Sequence, residues 1–132
     1  MSTPSSIELI HAYRHLYRGL LHAVRFAKPS RYIARDQLRN AFRNEHSSNF
    51  DKQKVERTIE FLQYAAQEKG LEHRIVKSLL HTRYWEVREY IANYPRKHIS
   101  RTPIKEQLLN SSRINYQMNV AMLNDSMGLC LR

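Results

Sequence analysis

A chain of 132 residues suits one domain of ordinary size, with a core modest enough for a partner to complete. Hydrophobic residues at 42 %, with only 3 Gly and 4 Pro, exclude a loop-rich or disordered chain and favour helices. A formal net charge of +10 points to something anionic as a partner: nucleic acid, an acidic protein or a membrane surface.

The charge is uneven along the chain. Before residue 36, Arg14, Arg18, Arg25, Lys28, Arg31 and Arg35 stand against Glu8 alone, whereas residues 36–70 balance the two signs. Residues 1–5 form a polar lead. Ser5 or Ser6 can cap a first helix, with Glu8 placed to favour its dipole. The spacing predicts that helix to about Ala27. Its apolar stripe is Ile10, Tyr13, Tyr17, Leu20, Leu21 and Val24. Arg14, Arg18 and Arg25 flank the stripe, with His11, His15 and His22 just beyond.

Pro29 disfavours helix at Lys28, and Ser30 can cap the next helix. This second helix is predicted from about Arg31 to Asn44, with a narrow face of Ala34, Leu38, Ala41 and Phe42. Arg31, Arg35, Arg39 and Arg43 recur every four residues along one side of it. Like charges stacked this way weaken a lone helix, so a counter-charge is expected elsewhere.

"EHSSNFD" reads as a loop in which Asn49 or Asp51 caps a third helix. That helix carries Val55, Ile59, Leu62 and Ala66, and Gly70 ends or bends it. An amphipathic segment from Leu71 to about Asn93 bears Ile75, Leu79, Leu80, Val87 and Ile91. "NYPRKHISRTP" is a basic linker. Thr102–Pro103 is a good helix start, opening a last helix over Ile104 to about Leu123. "SMGLCLR" carries no legible pattern. The fold class is therefore all-α.

Catalytic motifs are lacking: no Gly-rich phosphate loop, no HExxH and no nucleophile elbow is present. The chain reads as a non-enzyme with no catalytic residue and no small-molecule substrate. A single cysteine, Cys130, allows no internal disulfide and fits a reducing compartment. It reads as an ordinary thiol. His11 and His15 have the spacing of a metal pair, but no third ligand is evident and no metal site is expected. Trp85 in "RYWEVREYI" reads as a core or interface anchor. No run approaches the roughly 18 apolar residues of a membrane span. "MSTPSS" lacks the features of a secretory signal, while the basic, acid-poor start is similar to a mitochondrial import signal. The basic rails admit three readings: a solvated face, phosphate contacts with RNA, or bidentate contacts with an acidic, phosphorylated partner.

"LYRGLL" in the first helix, "LRNAFRNE" in the second and an amphipathic third helix together resemble the LYR-motif family of small mitochondrial proteins. The resemblance covers about residues 6–69. It implies a three-helix LYR-type antiparallel bundle over residues 1–69, with a helical, basic C-terminal extension over residues 70–132. Family members bind the mitochondrial acyl carrier protein. The carrier's acyl-4'-phosphopantetheine enters the core of the bundle, and basic residues meet its acidic helix and phosphate. Carried over to this sequence, Leu16, Tyr17 and Arg18 are the motif. Arg14, Arg18, Arg39 and Arg43 are the ionic contacts, and Phe42 lies near the acyl chain. His22 stands where an arginine is common, which weakens one contact.

"RDQLRNAFRN" and "ERTIEFLQYA" look most like a short member of the family found on the assembling mitochondrial large ribosomal subunit. The resemblance therefore implies a matrix adaptor that brings acylated carrier protein to that subunit and helps prevent premature subunit joining. Arg31, Arg35, Arg96, Lys97 and Arg101 are candidate contacts to rRNA or ribosomal proteins. Two alternatives stay open. One is an LYR assembly factor or accessory subunit of a respiratory complex or of the iron–sulfur desulfurase. The other is a helical RNA-binding protein that works without carrier protein.

Overall fold

The computed structural model describes residues 4–93 and 102–131. Among them are five α-helices: α1 (Ser6–Ala23), α2 (Ser30–Asn44), α3 (Lys52–Gln67), α4 (Leu71–Asn93) and α5 (Pro103–Met127). A short 3-10 turn, Ser47–Asn49, precedes α3. The described residues hold no strand, as an all-α fold requires.

Ser5 is the cap of α1. Its hydroxyl accepts the Glu8 N–H at 3.3 Å, and the Glu8 carboxylate accepts the Ser5 N–H at 3.0 Å. This reciprocal box satisfies two donors that a helix start leaves open. The helix stops at Ala23, four residues short of the expected Ala27. There the Phe26 N–H donates to the Leu21 carbonyl and the Arg25 N–H to the His22 carbonyl, the Schellman pattern. Arg25 takes φ 54° and Phe26 φ 56°. Glycine normally fills the left-handed position of this turn, so nothing in the sequence announced it. Arg25→Gly is expected to raise stability by up to about 1 kcal/mol, since the left-handed conformation costs an L residue about 1–2 kcal/mol and glycine's larger unfolded entropy returns part of that. Urea unfolding of the two proteins measures the difference.

Arg25 consequently leaves the helical rail that its spacing predicted. Ser30 is the first residue of α2 rather than its cap; Pro29 holds the cap position, and no side chain bonds there. Asp51, not Asn49, caps α3. Its carboxylate accepts from the Gln53 and Lys54 N–H groups at 3.0 and 3.4 Å. Asp51→Ala is expected to cost about 1 kcal/mol, the usual worth of such a cap, read as a lower urea midpoint with an unchanged slope.

Tyr13 of α1 packs edge-on against Phe42 near the end of α2, at 5.4 Å between ring centres. This contact sets the two helices antiparallel. Gly19 of α1 lies against Leu62 of α3: a Cβ at Gly19 would come within 3.3 Å of the leucine side chain. The missing side chain lets α1 and α3 approach closely. α4 folds back along α3 through a short turn, where His73 Nδ1 bonds the Ala65 carbonyl at 3.2 Å, and it also packs on α2.

Small residues therefore set the core, and the predicted faces shift. The buried line of α1 is Ala12, Leu16 and Ala23, while Ile10 is exposed and Tyr13, Tyr17, Leu20 and Val24 are half-buried beside it. On α3, Val55 and Leu62 are buried as the spacing predicted, but Thr58, Phe61 and Ala65 complete the buried face while Ile59 and Ala66 are half-buried. On α2, Ala34 and Leu38 are buried, as the pattern predicted. α4 buries Val76 and Leu80, but Val87 and Ile91 are exposed.

α5 runs four residues past the expected Leu123, to Met127. Its first half is exposed at Ile104, Leu108 and Ile114. Nearer its end, Tyr116, Val120 and Leu123 face Leu71, Ile75 and Leu79 of α4. Burial in that seam, with Glu86 nearby, raises the Tyr116 phenol above its ordinary range, against an opposing pull from Arg83. Gly128 closes α5 at φ 66°, and the turn sends Leu129 into the core, where it is 3 % exposed. The patternless "SMGLCLR" thus contains a core residue.

Candidate functional site

The helices leave two adjoining spaces in their packing, each about half open to solvent. An inner cavity of about 100 Å³ is bounded by Leu16 and Leu20 of α1, Ala34 and Leu38 of α2, Leu62 of α3 and Leu80 of α4. Gln37 and the Thr58 hydroxyl bring the polar groups of its helical walls. A second cavity, of about 400 Å³, lies beside it. The two share Leu16, Leu38 and Ala41, and also Cys130 and Leu131. The larger space is also lined by polar residues: His46 and Lys54 with the acids Glu45 and Asp51 around the α2–α3 connection, and Asp125 of α5. The smaller space is apolar, and the larger one is mixed, with three carboxylates in its wall.

Leu16 of "LYRGLL" is buried and forms a wall of both cavities. Tyr17 is half-buried; its ring stacks on Tyr13 at 6.1 Å and 7°. Phe42 meets the same Tyr13 and lines the larger cavity. Leu16, Tyr17 and Phe42 thus come together at the α1–α2 seam. Arg14, Arg18, Arg39 and Arg43 are exposed, and no acid among the described residues forms an ion pair with them. The counter-charge expected elsewhere for the α2 rail is not found among the described residues; Arg35 alone is paired, within its own helix, its Nε 3.0 Å from Asp36. That hydrogen bond, helped by the nearby tyrosines 17 and 32, raises the Arg35 guanidinium, a permanent cation.

Arg31 and Arg35 both lie over the Tyr32 ring, at 4.7 and 5.4 Å, and Arg31 donates to the Tyr32 hydroxyl at 2.7 Å. These cation–π contacts hold the two side chains flat on α2. Arg96, Lys97 and Arg101 lie outside the described residues. His11 and His15 are exposed on α1, and no cluster of metal-ligating side chains occurs among the described residues.

Sequence reasoning missed Thr58 and Asn124. Thr58 donates to the Lys54 carbonyl at 2.7 Å and accepts the Cys130 N–H at 3.1 Å. Its oxygen also lies 3.2 Å from the Cys130 sulfur. The hydroxyl proton is committed to Lys54, so the thiol is the donor. Asn124 grips Leu131 twice: its Nδ2 donates to the Leu131 carbonyl at 2.7 Å, and its Oδ1 accepts the Leu131 N–H at 2.8 Å. A threonine on an otherwise apolar helix face was the one available hint.

Trp85 is an exposed residue, not a core one. It stands beside Tyr84 and donates from its indole N–H to His81 Nε2 at 2.9 Å. Arg88 lies 5.7 Å from the Trp85 ring. No described helix is long and apolar enough to cross a membrane.

No protein-family model matches the chain, and no solved structure does. The chain is similar to a UPF0593 mitochondrial protein of Schizosaccharomyces pombe, at 44 % identity over 72 residues. The match takes in 53 % of this chain and 58 % of that protein, so the chain spans little more than half the length of the curated relative it matches. That likeness to a mitochondrial protein supports a mitochondrial location for this chain.

Proposed function

We propose that this chain is a non-enzymatic LYR-type adaptor of the mitochondrial matrix that binds acylated acyl carrier protein. The observation that supports it most is the division of labour around "LYRGLL". Leu16 forms a wall of both cavities, the smaller of them apolar, while Arg14 and Arg18 on the same helix stay exposed without an acid to pair with among the described residues. An apolar interior beside unpaired guanidiniums suits a partner that carries a lipid chain, a phosphate and acidic residues together. The acyl-4'-phosphopantetheine of the carrier has these features, and the adaptor needs no cofactor of its own. On this reading Leu16, Tyr17 and Phe42 meet the lipid end, and Arg14, Arg18, Arg39 and Arg43 meet the anionic surface.

The client we propose is the assembling mitochondrial large ribosomal subunit, where the bound carrier helps prevent premature subunit joining. Of the candidate contacts to rRNA or ribosomal proteins, Arg31 and Arg35, which lie over Tyr32, are the two among the described residues. The test is isolation of the C-terminally tagged chain from mitochondria at low salt, with mass spectrometry of copurifying proteins and of the phosphopantetheine. Carrier protein with large-subunit proteins is the expected result. Carrier protein with respiratory or desulfurase subunits would move the client and keep the adaptor. RNA without carrier protein would overturn the reading.

A further inference from the structure

The segment after α5 turns back at Gly128, burying Leu129 and leaving Cys130 exposed and Leu131 half-buried. It lies over the helical packing, with Cys130 and Leu131 bordering both cavities. It joins no helix and no sheet. Four hydrogen bonds from two side chains hold its backbone and thiol: Asn124 grips Leu131, and Thr58 takes the N–H and the sulfur of Cys130. Leu129 supplies the apolar anchor. The helix that carries this segment is exposed along its first half, so it can move without opening the rest of the core.

We propose that residues 128–131 are a latch that closes a binding channel for an aliphatic chain, and that entry of the chain displaces them. The proposal deepens the carrier-protein reading, and rests on it for the natural source of the chain. The size of the spaces carries the argument. The inner cavity, at about 100 Å³, is below the roughly 300–1,000 Å³ of ordinary ligand pockets. Its larger neighbour shares Cys130 and Leu131 with it as lining, and these are the shared residues that belong to no helix. With those residues lifted, two spaces that share Leu16, Leu38 and Ala41 become one channel. Leucine and alanine walls select a saturated chain, and its polar end meets the mixed wall of the larger space, where His46 and Lys54 stand with Glu45, Asp51 and Asp125.

A latch of this kind lowers apparent affinity in proportion to the time it is closed. Weakening it should therefore tighten binding, the opposite of what removing a ligand contact does. Asn124→Ala frees Leu131 and keeps α5 in a good helix former. Thr58→Val keeps the shape of Thr58 and frees Cys130. The two variants attack opposite sides of the segment.

The probe is decanoyl-pantetheine, added to the full chain without carrier protein. Amide hydrogen exchange is followed at Cys130 and Leu131, and binding is measured by calorimetry. Exchange at both amides should rise at saturation, and each variant should bind the probe about five- to tenfold more tightly, the worth of one or two lost hydrogen bonds. Unchanged exchange at saturation would overturn the latch, as would weaker binding by both variants or no binding by any of the three proteins. A parallel titration with decanoyl-loaded carrier protein separates the two ideas. Carrier binding with the latch amides still protected sinks the latch alone. Latch opening by the probe with no carrier binding sinks the carrier reading alone.

Discussion

Arg18→Ala is expected to weaken capture of acyl-loaded carrier protein by about ten- to a hundredfold, because a charge-assisted hydrogen bond contributes about 1.5–3 kcal/mol and each 1.4 kcal/mol is tenfold. The melting temperature should stay almost unchanged, since Arg18 is exposed and has no partner acid among the described residues. Adding Tyr17→Ala should abolish capture, at some cost in stability, because the Tyr17 ring stacks on Tyr13. Tyr17→Phe keeps that stack and is the control for the hydroxyl. The salt dependence should change as well: an exposed cation meeting an acidic helix contributes most at low ionic strength, so wild type and Arg18→Ala should converge as salt rises. Capture that survives the double substitution with the fold intact would show that Tyr17 and Arg18 do not make the contact.

The sequence made this site half visible. Periodicity located α1 to α4 and the cationic side of α2, because a helix repeats its faces regularly enough to be counted. Counting large apolar residues misplaced the faces themselves. Ala12, Gly19 and Ala23 carry little hydrophobic weight, yet they let α1 lie close to α3, and their neighbours Tyr13, Tyr17 and Leu20 were pushed to the flanks. Arg25 and Phe26 hold a turn that glycine usually marks, so the end of α1 was unreadable. The latch was hidden for a different reason. Three residues after a glycine have no period, and their place depends on Thr58 and Asn124, 72 and 7 residues away in the chain. Long-range side-chain bonds leave no local trace.

Leu62→Ala is expected to destabilise the fold by about 2–5 kcal/mol, the range for deleting a buried leucine side chain where neighbours relax only in part. Leu62 is 1 % exposed, forms a wall of the inner cavity and lies against Gly19. Its loss would enlarge a space that is already underfilled, which argues for the upper half of that range. Gly19→Ala is a balance of two terms. Alanine gains about 1 kcal/mol over glycine inside a helix, but its Cβ would sit 3.3 Å from both Cβ and Cδ1 of Leu62. That distance forces α1 and α3 apart by a few tenths of an ångström, and overpacking of a tight core costs about 1–3 kcal/mol. Gly19→Ala alone should therefore be neutral to destabilising. In the Leu62→Ala background the Cδ1 contact is gone and only the Cβ contact remains. The added methyl then enters the space the leucine left, and the helix gain is kept. The double variant should be more stable than the sum of the single effects predicts, by about 1 kcal/mol, within the coupling range of touching residues. Urea unfolding of the four proteins measures that coupling. A value of zero would mean that Gly19 and Leu62 do not touch, and the close approach of α1 to α3 would lose its support. A positive coupling assigns the glycine of "LYRGLL" to helix packing, which leaves Tyr17 and Arg18 as the residues of that stretch open to a partner.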